Sequence, residues 1–152
     1  MADYLFDTSA LGKRYHPEVG TQAVERLLDD PGSRHFISRL TVTEIQSVFA
    51  GKVRMGVISA NDFELLRRRF LTEMTRQEFQ VVRMTGFHFQ EADRLVRKHG
   101  PSRRLRTLDA LQLAVALDLT KQGVLDHFVC ADKGFIPAAV AEGLSVINPE
   151  QP

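Results

Sequence analysis

Asp3-Tyr4-Leu5-Phe6-Asp7-Thr8-Ser9-Ala10-Leu11 is the stretch on which the fold turns. Its apolar run Tyr4-Leu5-Phe6 has the length and bulk of a buried strand and ends in a carboxylate. The Thr8-Ser9 pair can then cap a helix whose first apolar residues are Ala10 and Leu11. A strand that runs through a carboxylate straight into a helix is the unit from which α/β sheets are built.

The same alternation continues outward. Gly20 to Asp30 carries Ala23, Val24, Leu27 and Leu28 at helical spacing and closes at Pro31-Gly32, and His35-Phe36-Ile37-Ser38 reads as a second strand. Thr41 to Gly56 places Ile45, Val48, Phe49 and Val53 on one face. Ser59 or Asn61 can cap a further helix holding Phe63, Leu66, Phe70 and Met74, so a helical hairpin is expected. Phe79-Gln80-Val81-Val82 is a third strand, followed by an amphipathic helix from Gly86 to His99 that stops at Gly100-Pro101. Thr107 to Gly123 is apolar almost all round, which predicts a buried helix. His127 to Ala131 forms a fourth strand, Ile136 to Glu142 a short helix and Leu144 to Ile147 a fifth strand. Such alternation predicts an α/β sandwich on a mostly parallel sheet, with any ligand site beyond the strand carboxyl ends where the strand order reverses.

The 152 residues suit a single domain spanning 1–152 that buries its core without disulfides. Cys130 is the only cysteine, which excludes an internal disulfide and a cysteine-cluster zinc site, and it reads as a small core residue. Met1-Ala2-Asp3 opens no signal peptide, and no apolar run is long enough to span a bilayer, so a soluble cytoplasmic protein with no membrane partner is expected. Twenty Lys and Arg against 19 Asp and Glu leave a net charge of +1, so a nucleic-acid partner would have to be met by a local patch.

Two acids stand at strand carboxyl ends, Asp7 and Asp132, and two in the first turns of predicted helices, Glu44 and Asp109. If the first and fourth strands are neighbours, the four converge on one crevice. Each also has an ordinary reading. Asp7 and Asp132 suit turns, Glu44 suits a capping box with Thr41, and Asp109 complements the helix dipole behind an N-cap at Thr107. The set is harder to assign to local structure, because an unpaired carboxylate opening a buried helix costs several kcal/mol in order of magnitude. Gathered carboxylates need a cation. Oxygen ligands without His or Cys select a hard one, Mg²⁺ or Mn²⁺ rather than Zn²⁺. Asp3, about 13 Å from Asp7 at the far end of the strand, and Asp118, about 13 Å along the helix from Asp109, fall outside the set and are expected to be solvated. None of His16, His35, His88, His99 and His127 has metal-site spacing.

With these segments in place, the chain resembles the PIN-domain ribonucleases, most closely the small VapC-type toxins of bacterial toxin-antitoxin pairs. Leu5-Phe6-Asp7-Thr8-Ser9-Ala10-Leu11, Thr43-Glu44-Ile45, Arg106-Thr107-Leu108-Asp109-Ala110 and Ala131-Asp132-Lys133-Gly134-Phe135 match the family's four motifs in order and spacing. The resemblance implies a three-layer sandwich on a five-stranded parallel sheet in the order 3-2-1-4-5. It implies that Asp7, Glu44, Asp109 and Asp132 are the catalytic, metal-binding acids, with Ser9 and Thr8 as supporting hydroxyls. Cys130 departs from the Ser or Thr common there, which leaves the support of Asp132 open.

The expected reaction is Mg²⁺-assisted hydrolysis of RNA phosphodiesters by activated water, with no protein nucleophile. Arg39, Arg103, Arg104, Arg106 and Lys133 flank three of the acids and suit either an RNA-binding rim or a solvated face. Arg67-Arg68-Arg69 reads as surface. Implied partners are the RNA substrate, a homodimer mate and an antitoxin, with the hairpin from Thr41 to Met74 as a site for either protein. A haloacid dehalogenase-type phosphatase would need a second acid where Ser9 stands, and a phosphoacceptor receiver would need an acid where the third strand ends in Val82-Arg83-Met84. A PIN-like module that binds RNA or protein without catalysis would have little reason to concentrate repelling charge.

Overall fold

The computed structural model describes residues 1–152. Strand β1 (Asp3–Phe6) lies at the centre of a sheet in the order β3-β2-β1-β4-β5, flanked by β2 (Arg34–Ser38) and β4 (His127–Val129), with β3 (Gln80–Val82) and β5 (Val146–Ile147) at the edges. Every pairing is parallel. The five-stranded parallel sheet and its order are as the resemblance implies.

Side chains on a strand alternate between faces, and here the alternation builds two cores. Leu5, Phe36 and Phe128 point to one side, where they pack with α5 (Gly86–His99), α6 (Thr107–Lys121) and α7 (Ile136–Ala141). Tyr4, Phe6, Ile37 and Val129 point to the other, against α1 (Thr8–Leu11), α2 (Thr21–Leu28) and the hairpin of α3 (Arg39–Arg54) and α4 (Ala60–Thr75). Helix α6 is buried along most of its length, from Ala110 to Ala116 and at Leu119, as its apolar sequence predicts. No helix is long and apolar enough to cross a membrane.

The hairpin is fixed by a buried ionic knot. Glu73 of α4 accepts from Tyr15 Oη at 2.5 Å and from Arg14 at 3.2 Å, and the Arg69 guanidinium lies 5.0 Å from the centre of the Tyr15 ring. At the amino end of central β1, Asp3, expected to be solvated, is instead paired with Arg34 of β2.

Several boundaries differ from the sequence reading because capping chemistry is decided by side-chain placement. The N-cap of α1 is Asp7 itself, which accepts from the Ser9 amide, rather than the Thr8-Ser9 pair. Helix α3 begins after Ser38, whose Oγ accepts from Thr41 N at 3.2 Å, so Thr41 is not a cap and Glu44 lies in the second turn. Helix α6 begins after Arg106, which makes Thr107 the first helical residue rather than the cap. Strands β4 and β5 are shorter than predicted, for Cys130, Ala131, Leu144 and Ser145 lie beyond their ends, although Cys130 N and Ser145 O still bond across to Ile147 O and Phe128 N. Asp118, expected to be solvated, is half-buried and bonded to His88 Nε2 at 2.8 Å.

Candidate functional site

Because β1 and β4 are neighbours on which the strand order reverses, their carboxyl ends open into one crevice. Phe6 stands opposite Val129, and the Asp7 amide donates to Val129 O at 2.9 Å, which brings the segments carrying Asp7 and Asp132 together. Helices α3 and α6 begin at the same edge. Asp7, Glu44, Asp109 and Asp132 consequently line one cavity of about 180 Å³, together with Thr8, Ser9, Val48, Arg106 and Gln112.

Asp7 is the deepest of the four, 7% exposed. Its Oδ2 accepts from Ser9 Oγ at 2.5 Å and from Ser9 N at 3.1 Å, while Ser9 Oγ accepts from Ala131 N at 3.0 Å. One hydroxyl thus fastens Asp7 to the segment that carries Asp132. Burial pushes the Asp7 carboxyl above its usual range, the Ser9 bonds oppose this, and the nearby Asp109 and Asp132 charges reinforce it. The Cys130 thiol lies 3.8 Å from Asp7 Oδ2 and is itself pushed upward by burial, so it stays protonated. Cys130 therefore sits between Asp7 and the backbone of Asp132. Asp132 takes its support from Gly134 N at 2.9 Å, where a Cβ on residue 134 would come within 3.3 Å of Asp132 Oδ1.

Glu44 is held by a line of buried polar groups. Ser38 Oγ donates to Gln112 Oε1 at 2.6 Å and Gln112 Nε2 donates to Thr41 Oγ1 at 2.7 Å. Thr8 Oγ1 lies within donating distance of both Thr41 Oγ1 and Glu44 Oε1, each at 3.0 Å. Thr41 Oγ1 accepts from Gln112 and Thr8 alike, and the single Thr8 hydrogen is shared between Thr41 and Glu44, so Thr8 joins Glu44 to the buried polar groups. Ser38 and Gln112 escaped the sequence reading as site residues, and Thr41 entered it only as a cap for Glu44. The available signal was Gln112, a lone polar residue among Leu111, Leu113 and Ala114 in a buried helix.

Burial raises the Glu44 carboxyl, with Asp7 and Asp109 adding and Thr8 and Arg106 opposing. Burial likewise raises Asp109, opposed by the Arg106 amide and charge. Asp109 Oδ2 accepts from Arg106 N at 3.2 Å, so it caps α6 as well as facing the cavity.

Of the five basic residues flanking the acids, Arg106 alone enters the cavity. Arg103 turns away to bond His99 Nδ1 at 3.1 Å, while Arg39, Arg104 and Lys133 are exposed and make no ion pair. A larger cleft of about 280 Å³ between α5 and α6 contains Glu91, Arg94 and Glu142, but these are already paired with one another.

The donor set is four carboxylates and two hydroxyls with a thiol held protonated, a chemistry that fits a hard divalent cation. The acids do not form a closed cage, for no three of them are gathered closely enough to hold one ion. Mutual repulsion of carboxylates with a single guanidinium among them accounts for this spacing.

Fold and site together define a parallel α/β protein with an acid-lined crevice at the switch point of its sheet. The chain belongs to the PIN domain family, whose pattern matches residues 4–136. Among solved structures it is similar to VapC20 of Mycobacterium tuberculosis, a toxin that cleaves the sarcin-ricin loop, at 16% identity and a TM-score of 0.68 over 96% of this chain and 99% of that one. It is similar to FitAcB of Neisseria gonorrhoeae at 21% identity, with a TM-score of 0.65 over 96% and 97% of the two chains. A toxin-antitoxin complex from Klebsiella pneumoniae matches at 20% identity, with a TM-score of 0.59 over 96% and 97%. At these identities the likeness is one of fold. No curated protein matches the chain.

Proposed function

We propose that this chain is a metal-dependent endoribonuclease, using Mg²⁺ or Mn²⁺, and that it acts in the cytoplasm as the toxin of a type II toxin-antitoxin pair. The observation that carries the reading is the meeting of Asp7, Glu44, Asp109 and Asp132, from four separate segments, around one small cavity at the sheet edge. A fold needs no such gathering for its own stability, and burial makes it costly.

A divalent ion bound there supplies a lowered water pKa and offsets charge on a phosphate. The chain supplies the rest. Ser9 fixes the orientation of Asp7 and ties it to the Asp132 segment, and the Ser38-Gln112-Thr41-Thr8 line fixes Glu44. Ser9 Oγ, bonded to Asp7 and Ala131 N, serves to position the acids, and water is the attacking species in this reading. Exposed Arg39, Arg104 and Lys133 stand free to receive the RNA backbone.

RNA is preferred as substrate because a relative of the same fold is described as cleaving the sarcin-ricin loop. The antitoxin partner is inferred from the toxin-antitoxin complex of the same fold. Exposed Val48, Met55, Val57 and Leu65 on the α3–α4 hairpin offer apolar surface to an antitoxin or to a homodimer mate.

Purified protein should cleave RNA with Mg²⁺, lose activity in EDTA, and lose it again in Asp7→Asn. Cleavage that survives both treatments defeats the reading. For the toxin role, growth arrest on expression should require Asp109 and be relieved by the product of an adjacent small open reading frame; harmless expression of an active nuclease refutes it.

A further inference from the structure

Arg106 is the one cation in the acid cavity, and its placement is unusual for a rim residue. Its Nη2 lies 3.3 Å from Asp132 Oδ2 and its Nε 3.5 Å from Asp109 Oδ2, so one guanidinium spans acids from two segments. The backbone at Arg106 fixes the root of this side chain, because it is the N-cap of α6 and its amide is bonded to Asp109. The head is loosely held. The side chain is 62% exposed, and both contacts are long for charge-assisted bonds. Arg14 is the contrast: its side chain is 15% exposed and paired with Glu25, Glu73 and Glu78, which makes it part of the architecture.

We propose that Arg106 is a displaceable counter-ion of the metal-free site, holding Asp109 and Asp132 with the charge that a divalent cation later replaces, and so competing with that cation. The proposal rests on the metal-nuclease reading above. The guanidinium takes one oxygen of each acid and sets a positive charge beside the others, so it competes with a cation for the same two carboxylates. Its exposure makes its displacement cheap, because solvent screens a surface pair and rehydrates the freed guanidinium. Its fixed root keeps the released charge at the mouth of the cavity, where a phosphate approaches.

The test is calorimetric titration of EDTA-stripped, dialysed protein with MnCl₂ alone. Arg106→Gln should bind Mn²⁺ about fivefold to tenfold more tightly than wild type, the size expected when two exposed ion pairs no longer compete. Arg106→Lys, which keeps the charge, should stay near wild type. Arg68→Gln is the charge control, since Arg68 is an exposed α4 residue that lines no part of the acid cavity; it should leave the affinity unchanged. Equal or weaker Mn²⁺ binding by Arg106→Gln overturns the proposal, as does an equal gain in Arg68→Gln. If wild type binds Mn²⁺, Asp7→Asn does not, and Arg106→Gln is unchanged, the metal site stands and the role of Arg106 falls. If no variant takes up Mn²⁺, both fall.

Discussion

Replacing Asp7 with Asn should make the metal-free protein more stable while destroying its activity. Asp7 is 7% exposed, and its single well-bonded oxygen accepts from Ser9 Oγ and Ser9 N. Asn keeps an acceptor oxygen in the same place, so the α1 cap survives, and it removes a charge that burial and two neighbouring acids disfavour. The retained bonds and nearly equal volume limit the gain to about 1–2 kcal/mol, which is about 2–8 °C in Tm for a chain of this size.

The pH dependence follows from the raised carboxyl of Asp7. Below the ordinary value of 3.8 the group is protonated in both folded and unfolded chains, so wild type and variant should melt alike. As pH rises through the elevated folded value, wild type alone loses stability, and the gap opens to its full size by neutral pH. Thermal melts by circular dichroism from pH 3 to pH 8 in EDTA measure it. Adding MnCl₂ should close or invert the gap, because only the wild-type site gains from binding. An Asp7→Asn protein that melts below wild type at pH 7 in EDTA would show that the carboxylate is structural, and the argument from repelling charge would fail.

Two further substitutions probe the supports. Gln112→Leu conserves bulk but leaves Ser38 Oγ and Thr41 Oγ1 without their buried partner, so urea unfolding should show a loss of about 2–4 kcal/mol with weaker Mn²⁺ binding; unchanged stability would remove the polar line as a cause of Glu44 placement. Glu142, which accepts from Arg94, Lys98 and His99, is held down to about 2 from its ordinary 4.5. Its contribution is present above pH 4.5 and fades as pH falls toward 2. Glu142→Gln should thus cost about 1–2 kcal/mol at pH 7, discounted for the exposed Arg94 and Lys98, and nothing near pH 2 in denaturant midpoints. A cost that does not fade in acid would count against the ionic account.

Much of the fold was legible because periodicity reports burial directly. Tyr4-Leu5-Phe6 and Phe128-Val129 are apolar on successive residues because the parallel sheet is covered on both faces, and α6 is apolar all round because it lies under a second layer. The strand order came from the family motifs, since nothing in a short apolar run says which neighbour it will choose. The caps were misplaced at Thr41, Thr107 and the Thr8-Ser9 pair, where several residues of equal capping ability stand side by side. Gly134 was visible only as a motif letter; its closeness to Asp132 is a fact of the loop.

For the candidate site the division is sharper. The sequence by itself determined which acids stand at the ends of strands and the starts of helices, because residue type and short-range periodicity are local properties. Only the tertiary structure decided that Gln112, 71 residues from Thr41, completes the support of Glu44, and that the Cys130 thiol sits between Asp7 and the backbone of Asp132. It alone separated Arg106 from Arg103, Arg104, Arg39 and Lys133, turning one guanidinium inward between Asp109 and Asp132. A row of basic residues has no direction until the backbone gives each side chain one. Long-range polar partners likewise depend on the packing of helices onto the sheet, which no local pattern encodes.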